Sequence, residues 1–77
     1  MTVIDTQTIK DWQNHIIGYI ETFDNGDKKA LDFYRRILGR YIKKSNITRD
    51  FYGKIIGRGD QCGLLIGINE AKNKHWY

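Results

Sequence analysis

Phe51-Tyr52-Gly53-Lys54-Ile55-Ile56-Gly57-Arg58-Gly59-Asp60-Gln61-Cys62-Gly63-Leu64-Leu65-Ile66-Gly67-Ile68 is the stretch on which the fold turns. Read as helix, it has a cap in Asp60 and a helix-forming continuation in Asn69-Glu70-Ala71-Lys72, running to about Asn73. Read as strand, 51–57 would pair with 62–68 around Arg58-Gly59-Asp60-Gln61 in a hairpin. Each glycine inside a helix costs about 1 kcal/mol. Glycines four apart, however, let helices approach closely, and the balance favours helix. The expectation is an all-α fold, a compact small bundle of three to four helices. The alternative is an α+β fold with a C-terminal β-hairpin at 51–68.

Toward the N-terminus, Ile9, Trp12, Ile16, Tyr19, Ile20 and Phe23 recur at spacings of three and four, the pattern of a helix with one buried stripe. Asp5 or Thr6 would cap it, and Asp24-Asn25-Gly26-Asp27 would end it. Asp27 then opens a second helix, roughly 28–44, with Leu31, Tyr34, Leu38, Tyr41 and Ile42 inward, widened by Ala30 and Ile37. Ser45-Asn46-Ile47-Thr48 reads as a turn and cap before a short third helix carrying Phe51, Tyr52, Ile55 and Ile56. The expected core is Trp12, Ile16, Tyr19, Ile20, Phe23, Leu31, Tyr34, Leu38, Tyr41, Ile55 and Leu65. No proline, repeat or low-complexity tract stands out, so residues 1–77 read as a single domain.

The chain has 77 residues, 40% of them hydrophobic, with two Trp, five Tyr and three Phe. That suffices for one core and excludes a disordered tail. Cys62 is the sole cysteine, so no internal disulfide forms. The start, MTVIDTQTIKDW, lacks the basic and apolar runs of a signal peptide, and no apolar stretch is long enough to span a bilayer. A soluble cytoplasmic protein, with no membrane partner, is expected.

Charge is distributed unevenly. Residues 1–26 carry Lys10 against Asp5, Asp11, Glu21 and Asp24, whereas residues 27–58 carry ten Lys/Arg against Asp27, Asp32 and Asp50. A concentrated basic block is the footprint of a polyanion binder. On the expected second helix, Lys29, Arg36, Arg40, Lys43 and Lys44 form a stripe opposite the buried one, with Phe33 among them. An outward aromatic between guanidiniums suits stacking on a base or anchoring a protein contact. Residues 38–56 also fit a helix-turn-helix, with Arg49 and Lys54 facing a groove or phosphates, although Ile42 and Ser45 depart from its pattern.

Enzymatic motifs fail on inspection. Gly57-Arg58-Gly59-Asp60-Gln61-Cys62-Gly63 resembles a phosphate loop, but Leu64-Leu65 stand where Lys and Ser/Thr are needed. Cys62 has only His15 and His75 as possible bases and reads as a buried, inert thiol. One Cys and two distant His make no metal site, and no cofactor is implied. Arg58-Gly59-Asp60 reads as a helix boundary and Asn46-Ile47-Thr48 as a turn. The Lys/Asn/Ile-rich, proline-free composition resembles that of small phage and mobile-element proteins.

The functional expectation is a non-enzymatic nucleic-acid-binding protein acting through the Arg/Lys stripe. The alternative is a protein-binding regulator or inhibitor of a nucleic-acid-processing partner, contacting an acidic surface with Phe33 and Tyr52 as anchors. A homodimer is also expected, pairing the acidic first helix with the basic second one and using Trp76-Tyr77 as an apolar contact.

Overall fold

The computed structural model describes residues 1–73. Among them are six strands, β1 (Val3–Lys10), β2 (Ile16–Phe23), β3 (Lys28–Asp32), β4 (Ile37–Ile42), β5 (Ile47–Asp50) and β6 (Ile55–Arg58). One helix, α1 (Cys62–Asn73), follows them. The strands pair antiparallel in strict chain order, β1-β2-β3-β4-β5-β6. The all-α bundle is therefore wrong. The first two expected helices are strand pairs, and the 38–56 helix-turn-helix is β4, a turn, β5, a second turn and the start of β6. The hairpin alternative fails too: β6 pairs with β5, and the segment from Cys62 is helical. The acidic and basic helices proposed to pair in a dimer do not exist, while Trp76 and Tyr77 lie outside the described residues.

A repeat explains the sheet. Asp11-Trp12-Gln13-Asn14-His15-Ile16-Ile17-Gly18 matches Asp32-Phe33-Tyr34-Arg35-Arg36-Ile37-Leu38-Gly39 and Asp50-Phe51-Tyr52-Gly53-Lys54-Ile55-Ile56-Gly57. The expectation of a repeat-free chain is corrected accordingly. Each copy begins with a three-residue hairpin loop closed by a residue in the left-handed region, Asn14 (φ 67°), Arg35 (φ 65°) or Gly53 (φ 86°). The N–H of that residue donates to the carbonyl of the leading Asp at 3.0 Å in every copy. The Asp carboxylate then accepts backbone N–H groups inside its own turn. Asp11 takes those of Gln13 and His15, Asp50 those of Tyr52 and Lys54, and Asp32 that of Arg36, at 2.8–2.9 Å. This is the local side-chain capture that makes Asp a turn residue.

Each copy ends in the same bulge. Between paired residues the register skips Ile17, Leu38 and Ile56, the seventh residue of the unit. A bulge turns two successive side chains toward one face. Accordingly Ile17, Leu38 and Ile56 all pack on the core, and the adjacent Gly18 and Gly39 lie beneath α1. A Cβ on Gly18 would sit 2.9 Å from the Ile66 side chain, and one on Gly39 would sit 2.6 Å from Leu65 Cδ1. In the first two copies the repeated glycine makes room for the helix; in the third, Gly57 lies beside the Gln61 side chain just before it.

Asp60 accepts the N–H of Cys62 at 3.1 Å and starts α1, which runs back across β2, β3 and β4. Thr48 is fully buried where the chain leaves β6; its hydroxyl donates to the Gly59 carbonyl at 2.7 Å and accepts the Gln61 N–H at 2.9 Å. Ile20, Ala30, Cys62, Leu65 and Ile66 form the core, flanked by Ile9, Ile17, Leu38, Tyr41 and Ile56. Of the expected core, Ile20, Leu31 and Leu65 are buried, and Leu38 and Tyr41 partly so. Tyr19 and Phe23 are half-buried on the opposite face, and Trp12, Ile16, Tyr34 and Ile55 are exposed. Cys62 is fully buried, and that burial, reinforced by the Asp60 carboxylate, pushes its thiol up to about 12. A thiol so protonated is not a nucleophile.

Candidate functional site

Among the described residues, one helix covers one face of the sheet and leaves the other open. Alternation decides which residues reach the open face. Lys28 and Ala30 face the helix side, where Lys28 Nζ meets Asp60 at 2.7 Å and Ala30 joins the core, so Lys29 points the other way. Gly39 lies under Leu65, which turns Arg40 outward; Thr48 is buried on the helix side, which turns Arg49 outward. The register then sets Lys29 opposite Arg40, and Arg40 opposite Arg49. Three cationic residues stand in one row across three adjacent strands whose backbones lie about 4.8 Å apart, with the Arg49 guanidinium donating to the Gly53 carbonyl at 2.8 Å.

Glu21 on β2 and Ile55 on β6 continue the row on either side. Two aromatics share the face. Lys29 Nζ lies 5.4 Å from the Phe23 ring centroid, and the Arg35 guanidinium lies 4.2 Å from that of Tyr19. Both are within the reach of a cation–π contact. Leu31 is buried on this side between Tyr19 and Ile37. Phe23, Lys29, Arg40 and Ile42, with Met1, line a shallow cavity of about 260 Å³ at one end of the row.

The other expected site residues divide between the two ends of the sheet, because a meander sends successive turns to alternate ends. Phe33 and Arg36 lie in the β3–β4 turn and Lys54 in the β5–β6 turn, together at one end. Lys43 and Lys44 lie in the β4–β5 turn at the opposite end, where the Lys43 N–H donates to Asp27 at 2.9 Å. No single stripe therefore holds all eight. Lys29, Arg40 and Arg49 meet on the open face; Phe33, Arg36 and Lys54 meet at the end formed by the repeated turns.

Sequence reasoning missed the aromatics of those turns as a set. Trp12, Phe33, Tyr34, Phe51 and Tyr52 are 88, 52, 74, 64 and 90% exposed, all at one end. The signal that finds them is the repeat itself: an aromatic follows the leading Asp in every copy. Arg35 and Tyr19 were also missed, since nothing in a helical reading brings them together.

Among the described residues no group of His, Cys, Asp and Glu is placed to hold a metal ion. Asp32 is nearly buried, and burial pushes its carboxyl up; the N–H and guanidinium of Arg36 and the N–H of Tyr34 outweigh that and hold it below the ordinary carboxylate range. It is a turn-forming anion, ion-paired with Arg36 at 2.7 Å.

Fold and face together define a class: an antiparallel sheet capped on one side by a helix and presenting a cationic, aromatic-edged surface on the other. No family model, curated protein or solved structure matches the chain.

Proposed function

We propose that the protein is a non-enzymatic nucleic-acid-binding module whose open sheet face receives the sugar–phosphate backbone. The row Lys29–Arg40–Arg49 carries this reading. Like charges directly opposite one another across strands destabilise a sheet. Two such juxtapositions in succession oppose folding and are relieved by an anion whose charges are themselves spaced along a line. A phosphate backbone has that form, and Tyr19 and Phe23 flank the row with ring surface.

The test is the salt dependence of binding to a fluorescent oligonucleotide. Affinity should fall steeply between about 50 and 200 mM salt, because each neutralised phosphate releases counterion. Lys29→Gln, Arg40→Gln and Arg49→Gln should each flatten the log–log slope by about 0.7 on a single strand. Absence of binding at the lower salt would sink the proposal.

A further inference from the structure

The three repeated turns expose more aromatic surface than the fold explains. Their conformation is fixed by the leading Asp and the left-handed fourth residue; the second residue contributes nothing to either. Most residue types are accepted at that position of a turn. Here it is Trp12, Phe33 and Phe51, and Tyr34 and Tyr52 follow in two of the three copies. Phe33 with Tyr34, and Phe51 with Tyr52, meet edge to face at 5.3 Å between centroids, and the Arg36 guanidinium lies 5.3 Å from the Tyr34 centroid, while Phe33 and Phe51 stay exposed.

The fifth position of each turn bears a nitrogen donor: His15, Arg36 and Lys54. The carboxylates at this end are engaged by the N–H groups of their own turns, with the Asp11 and Asp32 side chains only 9 and 4% exposed. The His15 and Arg36 side chains, by contrast, are 74 and 70% exposed. Each turn thus directs a ring outward and keeps its acid inward, with an exposed nitrogen donor beside it: Arg36 holds Asp32 through Nε at 2.7 Å, and His15 Nδ1 lies 3.8 Å from Asp11.

Resting on the nucleic-acid reading above, we propose that the three turns form a stacking platform for an unpaired strand. One base sits on each of Trp12, Phe33 and Phe51, and the intervening phosphates are drawn to His15, Arg36 and Lys54. A duplex hides its ring faces except at its ends, whereas a single strand offers one per nucleotide. Neighbouring turns are two strands apart, about 9.5 Å. That exceeds the 3.4 Å rise of a stacked strand, so bases held by successive turns are splayed from one another.

Short oligothymidylate and a hairpin duplex of equal length, each labelled, distinguish the outcomes by anisotropy. Preference for the single strand by tenfold or more is expected. Trp12→Ala, Phe33→Ala and Phe51→Ala should each weaken single-strand binding roughly 5- to 100-fold, the loss of one stack. They should leave the salt slope unchanged, and Trp12→Phe should restore most of the affinity. In a Trp76→Phe protein, oligothymidylate should quench Trp12 emission directly. Circular dichroism matching the parent checks that each variant is folded.

Equal affinity for both forms, with no effect of the three alanine variants, overturns the platform and leaves the phosphate row standing. Failure to bind either nucleic acid overturns both. A protein captured stoichiometrically from nuclease-treated extract, and lost with the triple alanine variant, would in that second case assign the aromatic end to a protein partner.

Discussion

At the scale of the residue, Arg40 sits between Lys29 and Arg49 and is repelled from both sides. Arg40→Gln should therefore raise stability while lowering nucleic-acid affinity. Relief of one or two like-charge pairs amounts to about 0.2–1 kcal/mol each, a rise in Tm of a few degrees for a domain of this size. Thermal unfolding followed by circular dichroism checks it, and a lower Tm would contradict the account of the row. Asp32 behaves oppositely. Its folded-state pKa lies below the ordinary 3.8, so its contribution is present above that value and is lost as pH falls through the lower folded one. Asp32→Asn should be less stable than the parent at neutral pH, and the gap should narrow below about pH 3.8. Urea titrations at neutral and acid pH measure that gap. At this scale the outward placement of Lys29 and Arg40 was legible in the sequence, whereas Arg49 was expected apart from them, on a helix-turn-helix. Their neighbours were not legible, because a residue's partners follow from the periodicity assumed for its backbone.

At the scale of the element, that periodicity was misread for a physical reason. Ile9, Trp12, Ile16, Tyr19, Ile20 and Phe23 do recur at three and four, but the spacing arises from two strands joined by a tight turn. Ile9 and Ile20 face the helix, Tyr19 and Phe23 the open side, and Trp12 the solvent. The β-branched and aromatic richness of 16–23, and Asn25-Gly26 after it, are strand and hairpin signals. The same Asn25-Gly26 also fits a helix end, since a left-handed glycine, here Gly26 at φ 92°, serves both. The repeat escaped because its copies are unequally spaced, 21 residues from Asp11 to Asp32 and 18 from Asp32 to Asp50. The segment with a cap of its own was the legible one: Asp60 starts a helix that reaches Asn73. The repeat's glycine yields a further prediction. Gly39→Val places a side chain against the Arg49 carbonyl and Leu65, and should destabilise by about 1–3 kcal/mol in chemical denaturation. The same change at Gly63, around which a Cβ meets nothing, should cost far less.

At the scale of the whole molecule, stability depends on the junction of the two layers. Ile66 is fully buried between α1 and the sheet. Ile66→Ala should cost about 2–5 kcal/mol, a large share of the few kcal/mol that hold so small a domain together. Tyrosine fluorescence and far-UV circular dichroism should then lose signal in one shared, earlier transition; separate transitions would mean that the sheet stands without its helix. The strictly sequential strand order has its own consequence in time. Each strand pairs with the one just before it, so loops are short and hairpins close in microseconds as the chain is synthesised. Ile17, Ile20, Leu38 and Ile56 must nevertheless wait for a helix encoded after all six strands. Until α1 emerges, a nascent sheet carries an uncovered apolar side and unpaired margins, the state in which chains adhere to one another. The glycines that seat the helix also keep that side low in apolar bulk, and so limit what the unfinished chain exposes.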